Sequence, residues 1–152
     1  MPDEAMQGGE LAAAARGLVG TRFILHGREP AHGLDCVGLV ETALARCGHR
    51  VRLPNRYTLR GNNAARIEAA AAALPMLVEA SHAQGAARPG DILALCPRPD
   101  LLHLAIASEP GQRLPAQIVH AHAGLGRVVE GPPPPAWQLI ACWRLASRSA
   151  RS

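Results

Sequence analysis

The chain has 152 residues, 48% of them hydrophobic, and a net charge of +4 in which every basic side chain other than histidine is arginine. That length accommodates one domain with a real core, and that hydrophobic share excludes a disordered chain. Aromatics are only 3%, so the core must be built from Leu, Val, Ile and Ala; the mild basic excess suits an anionic partner, but no arginine cluster is interleaved with aromatics and nucleic-acid binding is not expected.

The first residues, Met1 to Met6, are acidic and lack the basic stretch and apolar centre of a secretory signal, and no apolar run approaches a membrane span. The expectation is a chain made in the cytoplasm with no leader and no membrane span. Residues 9–19 read as an Ala-rich helix ended by Gly20-Thr21, and 22–26 as a brief extended piece. A loop follows over 27–33. Asp35 is a good N-cap for a helix over 36–47, with Val37, Val40, Leu44 and Cys47 at helical spacing and a stop at Gly48. Residues 53–56 read as a turn, 64–74 as a second Ala-rich helix closed by Pro75, and 85–90 as a loop. From Asp91 the pattern changes to strands: 91–96, broken by Pro97-Arg98-Pro99, then 101–107, 117–122, 126–130 and 137–145. The four prolines Pro132 to Pro135 are a stiff connection ahead of the last strand. Helices first and antiparallel strands second is an α+β layout, a single domain over 1–152 with a core of about 10–146 and a flexible tail over 147–152.

None of the four cysteines forms a CxxC pair, so a structural zinc site is not expected. Cys36 and Cys47, on one predicted helix about 16 Å apart, cannot bridge each other. Cys47, Cys96 and Cys142 read as small buried apolar residues. Cys36 differs, because the first turn of a helix offers unpaired N–H groups and the positive end of the macrodipole, which favour thiolate. A lowered Cys36 pKa is therefore expected. Strand alternation puts His103 on one face with Ala105 and Ala107, and His120 on one face with Ile118 and His122. Two strands can thus each aim an imidazole at a helix N-terminus. In that reading Cys36 attacks a carbonyl, His103 takes the thiol proton, His120 orients His103, and the Cys36 N–H faces the oxyanion. Taken singly, each of these residues can equally be a satisfied core side chain, and the three together could ligate a metal, although no carboxylate is obviously placed to join them.

These residues also carry a resemblance. Gly20-Thr21-Arg22-Phe23, Asp35-Cys36-Val37-Gly38-Leu39-Val40, Arg88-Pro89-Gly90-Asp91-Ile92-Leu93, His103-Leu104-Ala105-Ile106 and Ile118-Val119-His120-Ala121 occur in that order. They resemble the motifs of the NlpC-like cell-wall cysteine peptidases, over about 14–145. The resemblance implies a papain-like NlpC-type fold with N-terminal helices packed on an antiparallel sheet. It implies Cys36 as nucleophile, His103 as base and His120 as third polar residue, with Phe23, Asp35 and Val37 around the substrate and oxyanion. It implies hydrolysis of amide bonds in peptidoglycan stem peptides, between the side-chain carboxyl of D-glutamate and a diamino acid, without metal or cofactor. Phe23 departs from the family's usual Tyr and lacks its hydroxyl, Val37 replaces a usual Ser, and His26 stands near a usual Gly. His122, one strand step beyond His120, matches no motif. The stretch between Cys36 and His103 is longer than in compact members because of the Ala-rich segment before Arg88. A leaderless form with such an insertion looks like those carried on phage tails or gene transfer agents, which implies tail-tip or baseplate partners, association with the particle and action in the periplasm or cell wall. A structural tail protein that has kept the fold and lost activity, and a papain-like hydrolase of another amide or a lipid ester, are the competing readings.

Overall fold

The computed structural model describes residues 2–53, 72, 74–80, 87–99 and 101–146. The turn expected from Pro54, most of the second Ala-rich helix, the start of the 85–90 loop and the tail over 147–152 lie outside the described residues.

Helix α1 spans Pro2–Arg16, several residues earlier than the sequence predicts. The prediction placed its start at Gly9, but Gly8 is a packing residue inside the helix. A Cβ there would come within 2.5 Å of the Pro89 carbonyl oxygen, so only glycine lets α1 lie against that turn. A two-residue hairpin, β1 (Arg28–Glu29) and β2 (Gly33–Leu34), occupies the predicted loop. Helix α2 spans Cys36–Arg46, as its cap and spacing predict. Gly48, at φ 90°, lies just beyond its end in a conformation that favours glycine.

The remaining strands are β3 (Leu77–Glu79), β4 (Ile92–Arg98), β5 (Leu101–Glu109), β6 (Gln117–His122), β7 (Arg127–Gly131) and β8 (Gln138–Leu145). They form one antiparallel sheet in the order β3-β8-β4-β5-β6-β7. The short β3 carries no alternation long enough to be read from sequence. Strand β4 does not stop at Pro97 as predicted. It continues to Arg98 because Pro97 sits where the β4–β5 register shifts between Leu95 and Arg98, and a bulge tolerates a residue with no N–H to give.

Helices α1 and α2 lie against each other; α1 also meets β5 and β8, and α2 meets β5 and β6. The main core joins Leu11, Leu39, Val40 and Leu44 from the helices, and Leu18 from the turn after α1, to Ile92, Leu104, Ile106 and Trp143 from the sheet. A smaller cluster covers the other sheet face, with Leu93, Leu95, Ala105, Ala107, Ile118 and Cys142. These sets alternate along β4 and β5, as pleated strands require. Polar ties fix the frame. Buried Asp91 takes two bonds from Arg144, at 2.7 and 2.9 Å, which join the start of β4 to β8. Arg16, in the last turn of α1, reaches Glu109 and Glu130.

The N-terminal turn of α2 is seated on the Gly27 carbonyl, and a Cβ on Gly38 would collide with that oxygen. Gly38→Ala is therefore expected to lower stability by about 1–3 kcal/mol, read as a reduced urea midpoint with an unchanged slope. An unchanged midpoint would mean that α2 is not held against Gly27.

Candidate active site

The site is built outward from Asp35. Its backbone is extended (φ −95°, ψ −171°), and its side chain caps α2 by accepting from the Gly38 N–H at 2.8 Å. The second carboxylate oxygen accepts from the His26 N–H at 2.9 Å. His26 has φ 64°, a left-handed conformation that an L residue adopts at a cost, and the bond to Asp35 helps hold it there. Asp35 is 1% exposed. The Arg28 guanidinium stands 3.9 Å from Asp35 and 3.7 Å from Glu41, which keeps these buried carboxylates from lying uncompensated. Glu41 in turn accepts from the Leu53 N–H at 2.6 Å. One carboxylate thus fixes both the start of α2 and the loop that passes in front of it.

Cys36 is the first residue of α2 and is buried in the main core, near a parting in the sheet. The β5–β6 register ends at Ile106–Val119. The Ala107 N–H bonds to Asp91 on the β4 side, so by alternation the Leu104 N–H points toward β6, past the last paired rung. That N–H is among the groups that favour the Cys36 thiolate. A cavity of about 330 Å³ opens there, lined by Cys36, Asp35 and Phe23 on one side and by His103, His120 and Trp137 on the other.

The two histidines are coupled directly: His103 Nε2 and His120 Nδ1 are 3.0 Å apart. Trp137 packs edge-on against both rings, with centroids 5.2 Å from His103 and 5.5 Å from His120. The space that small Ala105 and Ala107 leave beside His103 is thus shared by an imidazole and an indole. Nothing in the sequence marked Trp137 beyond its rarity. His122 also lines the cavity, its ring 5.7 Å from that of His120. Val37, which the resemblance placed near the substrate, does not line the cavity. It is fully buried in the main core, because one step along a helix turns a side chain about 100° away from its neighbour.

The lowered Cys36 pKa is overturned. Burial pushes the thiol up to about 12 from an ordinary 9.0; the Leu104 N–H opposes this, the charge of Asp35 adds to it, and Arg28 and the Cys36 N–H oppose it. Desolvation outweighs the helix terminus because no imidazolium stands by to help. Burial, with His120 and His122 adding, brings His103 down to about 3 from 6.5. Burial, with His122 adding, brings His120 down to about 4. The resting site is therefore a thiol beside two neutral imidazoles. The other cysteines are free, and burial pushes Cys142 up to about 12.

Two outcomes follow from these shifts. Iodoacetamide should label Cys36 more slowly than an ordinary thiol at pH 7, with a rate still climbing beyond pH 9; a plateau below pH 8 would contradict the buried thiol. Both imidazoles titrate lower in the folded than in the unfolded chain, so between about pH 6.5 and 3 the unfolded state binds more protons. The urea midpoint should consequently be flat above pH 7 and fall as the pH drops below 6.5. His103→Gln with His120→Gln should flatten that slope, and an unaltered slope would assign it elsewhere.

No protein-family model and no curated protein matches the chain. Solved structures do. NlpC2 from Trichomonas vaginalis superposes with a TM-score of 0.59 at 18% identity, over 91% of this chain and 46% of that one. A lipoprotein-like member of the NLP/P60 family from Staphylococcus aureus gives 0.61 at 18% identity, over 94% and 42%. The P60 domain of an antigen from M. avium subspecies paratuberculosis gives 0.58 at 16% identity, over 92% and 94%. The chain thus spans less than half the length of the first two and nearly the whole of the third. An α+β chain with, among the described residues, helices α1 and α2 beside an antiparallel sheet, it has the fold of the NlpC/P60 proteins.

Proposed function

We propose that the chain is a cysteine peptidase that hydrolyses amide bonds in peptidoglycan stem peptides, at the bond joining the D-glutamate side-chain carboxyl to a diamino acid. The observation that carries this reading is a cavity lined both by a capped helix-initial cysteine and by a hydrogen-bonded histidine pair. The NlpC/P60 fold supports it.

The chemistry follows from which atoms are occupied. His103 Nε2 is engaged with His120 Nδ1, so His103 Nδ1 is the nitrogen left to act as base. That requires the His103 proton on Nε2, donated to His120. With a thiol and neutral imidazoles at rest, the thiol proton moves to His103 Nδ1 as the sulfur attacks the carbonyl carbon. The bond to His120 then supports the imidazolium. The oxyanion is met by the Cys36 N–H at the helix start. Collapse breaks the C–N bond, and His103 returns the proton to the departing amine. Water then gives a proton to His103 and its oxygen to the thioester, and the released sulfur recovers its proton. No step needs a metal or cofactor.

The setting we propose is a phage tail or gene transfer agent, with tail-tip or baseplate proteins as partners and the cell wall as the place of action. The Ala-rich insertion ahead of Arg88 is the feature that suits it. No described helix is long and apolar enough to cross a membrane.

A second reading, a structural tail protein of weak or no activity, is favoured by the high thiol pKa and by Phe23, which brings no hydroxyl to the cavity. A zymogram on purified wall decides between the two. Under the peptidase reading the chain clears the gel, and Cys36→Ala and His103→Ala, each still folded, lower turnover of a stem peptide at least about a thousandfold. Turnover that survives in Cys36→Ala would remove the cysteine from the mechanism. No clearing by the unaltered chain favours the structural reading.

A further inference from the structure

Two arginines stand opposite each other beside the cavity with no acid between them. Arg22 bridges Arg127, and Arg127 is the register partner of His122. Directly opposed residues place their side chains on one face, with Cβ atoms about 5 Å apart. His122, Arg127 and Arg22 therefore form a row on the sheet face that carries His103 and His120, running from the cavity past the β7 edge. Both arginines are exposed, and among the described residues neither side chain has an ion-pair or hydrogen-bond partner. Arg16 and Arg144, by contrast, each hold carboxylates. Like charges directly opposed destabilise a sheet, so the row costs the fold stability unless an anion comes between them.

The cavity end of the row is arranged to donate. The Leu125 N–H gives to His122 Nδ1 at 3.0 Å, which leaves the ring proton on Nε2. Gly124 makes room for this, since a Cβ there would lie 3.0 Å from His122 Cε1. The rest of the cavity wall is mostly apolar, with Phe23, Leu25, Pro97, Leu101 and Trp137. A peptide's amide can enter that apolar pocket only if its charged groups stay outside, and the row is where they can be met.

We infer that His122, Arg127 and Arg22 form a carboxylate-binding subsite that holds the acidic groups of the peptide substrate while its scissile amide sits at Cys36. The inference rests on the peptidase reading for its ligand class. Its test is kept separate from turnover by using the Cys36→Ala chain and measuring binding by calorimetry. The probes are a synthetic stem peptide with free carboxylates and the same peptide with them amidated. The free acid should bind at least about tenfold more tightly than the amide, and Arg22→Gln and Arg127→Gln should each remove that preference. Arg127→Lys should keep part of it, and added salt should weaken it. Neither glutamine variant should lower the melting temperature, because each relieves a repulsion; a drop would assign the arginines a structural role. Equal binding of both peptides, binding of neither, or a preference untouched by the arginine variants overturns the subsite. Carboxylate-dependent binding without any cleavage by the unaltered chain keeps the subsite and removes the peptidase reading.

Discussion

The Asp35 carboxylate is the constraint on which the rest depends. Its two oxygens take an N–H from the first turn of α2 and an N–H from the loop before it; the first bond is buried and the second partly so. Buried hydrogen bonds to a charged group are expensive to leave unmade, so the helix start and the loop move as one body. Arg28 makes the burial tolerable by standing near both Asp35 and Glu41, and Glu41 extends the tie to Leu53. The position of the Cys36 sulfur is thus a consequence of a cap and is not left to the packing of the cysteine itself.

The second structural decision is the parting of β5 from β6. A continuous ladder would seal the helix-covered face from the outer one, and a cysteine on the first could never meet a histidine on the second. Ending the register at Ile106–Val119 releases the Leu104 N–H from β6, and Cys36, His103 and His120 line one cavity. The same arrangement sets the electrostatics. The Cys36 sulfur is buried, so its thiol is stabilised, and burial of the histidines packed against Trp137 favours their neutral form. A site of this kind stores no ion pair at rest; it must move a proton at the moment of attack.

The outer sheet face carries the histidines and the opposed arginines. Helices cover the inner face, leaving Leu102, Leu104 and Ile106 no choice but core. The outer face carries three histidines at one end and an arginine pair running past its β7 edge, so charge and donors are concentrated where a ligand can reach them. The glycines at Gly38 and Gly124 serve this placement by letting other groups come close, not by bending the chain.

Much of this was legible from local pattern. The cap at Asp35, the extent of α2 and the run of β6 follow from hydrogen-bonding and alternation rules that act within a few residues, and the same rules placed His103 and His120 on the faces where they stand. Local pattern failed where a distant partner decided. The packing role of Gly8 inside α1 was hidden because its partner, the Pro89 carbonyl, lies far along the chain; Pro97 looked like a strand end because the bulge that accommodates it is made with β5. The hairpin of β1 and β2 and the short β3 are too brief for periodicity to register. The sequence by itself determined which residue would begin the helix and which histidines would share a face, since both are properties of neighbours along the chain. Only the tertiary structure decided the protonation of Cys36 and the meeting of Arg22 with Arg127, because desolvation and cross-strand proximity exist only once separate segments have come together.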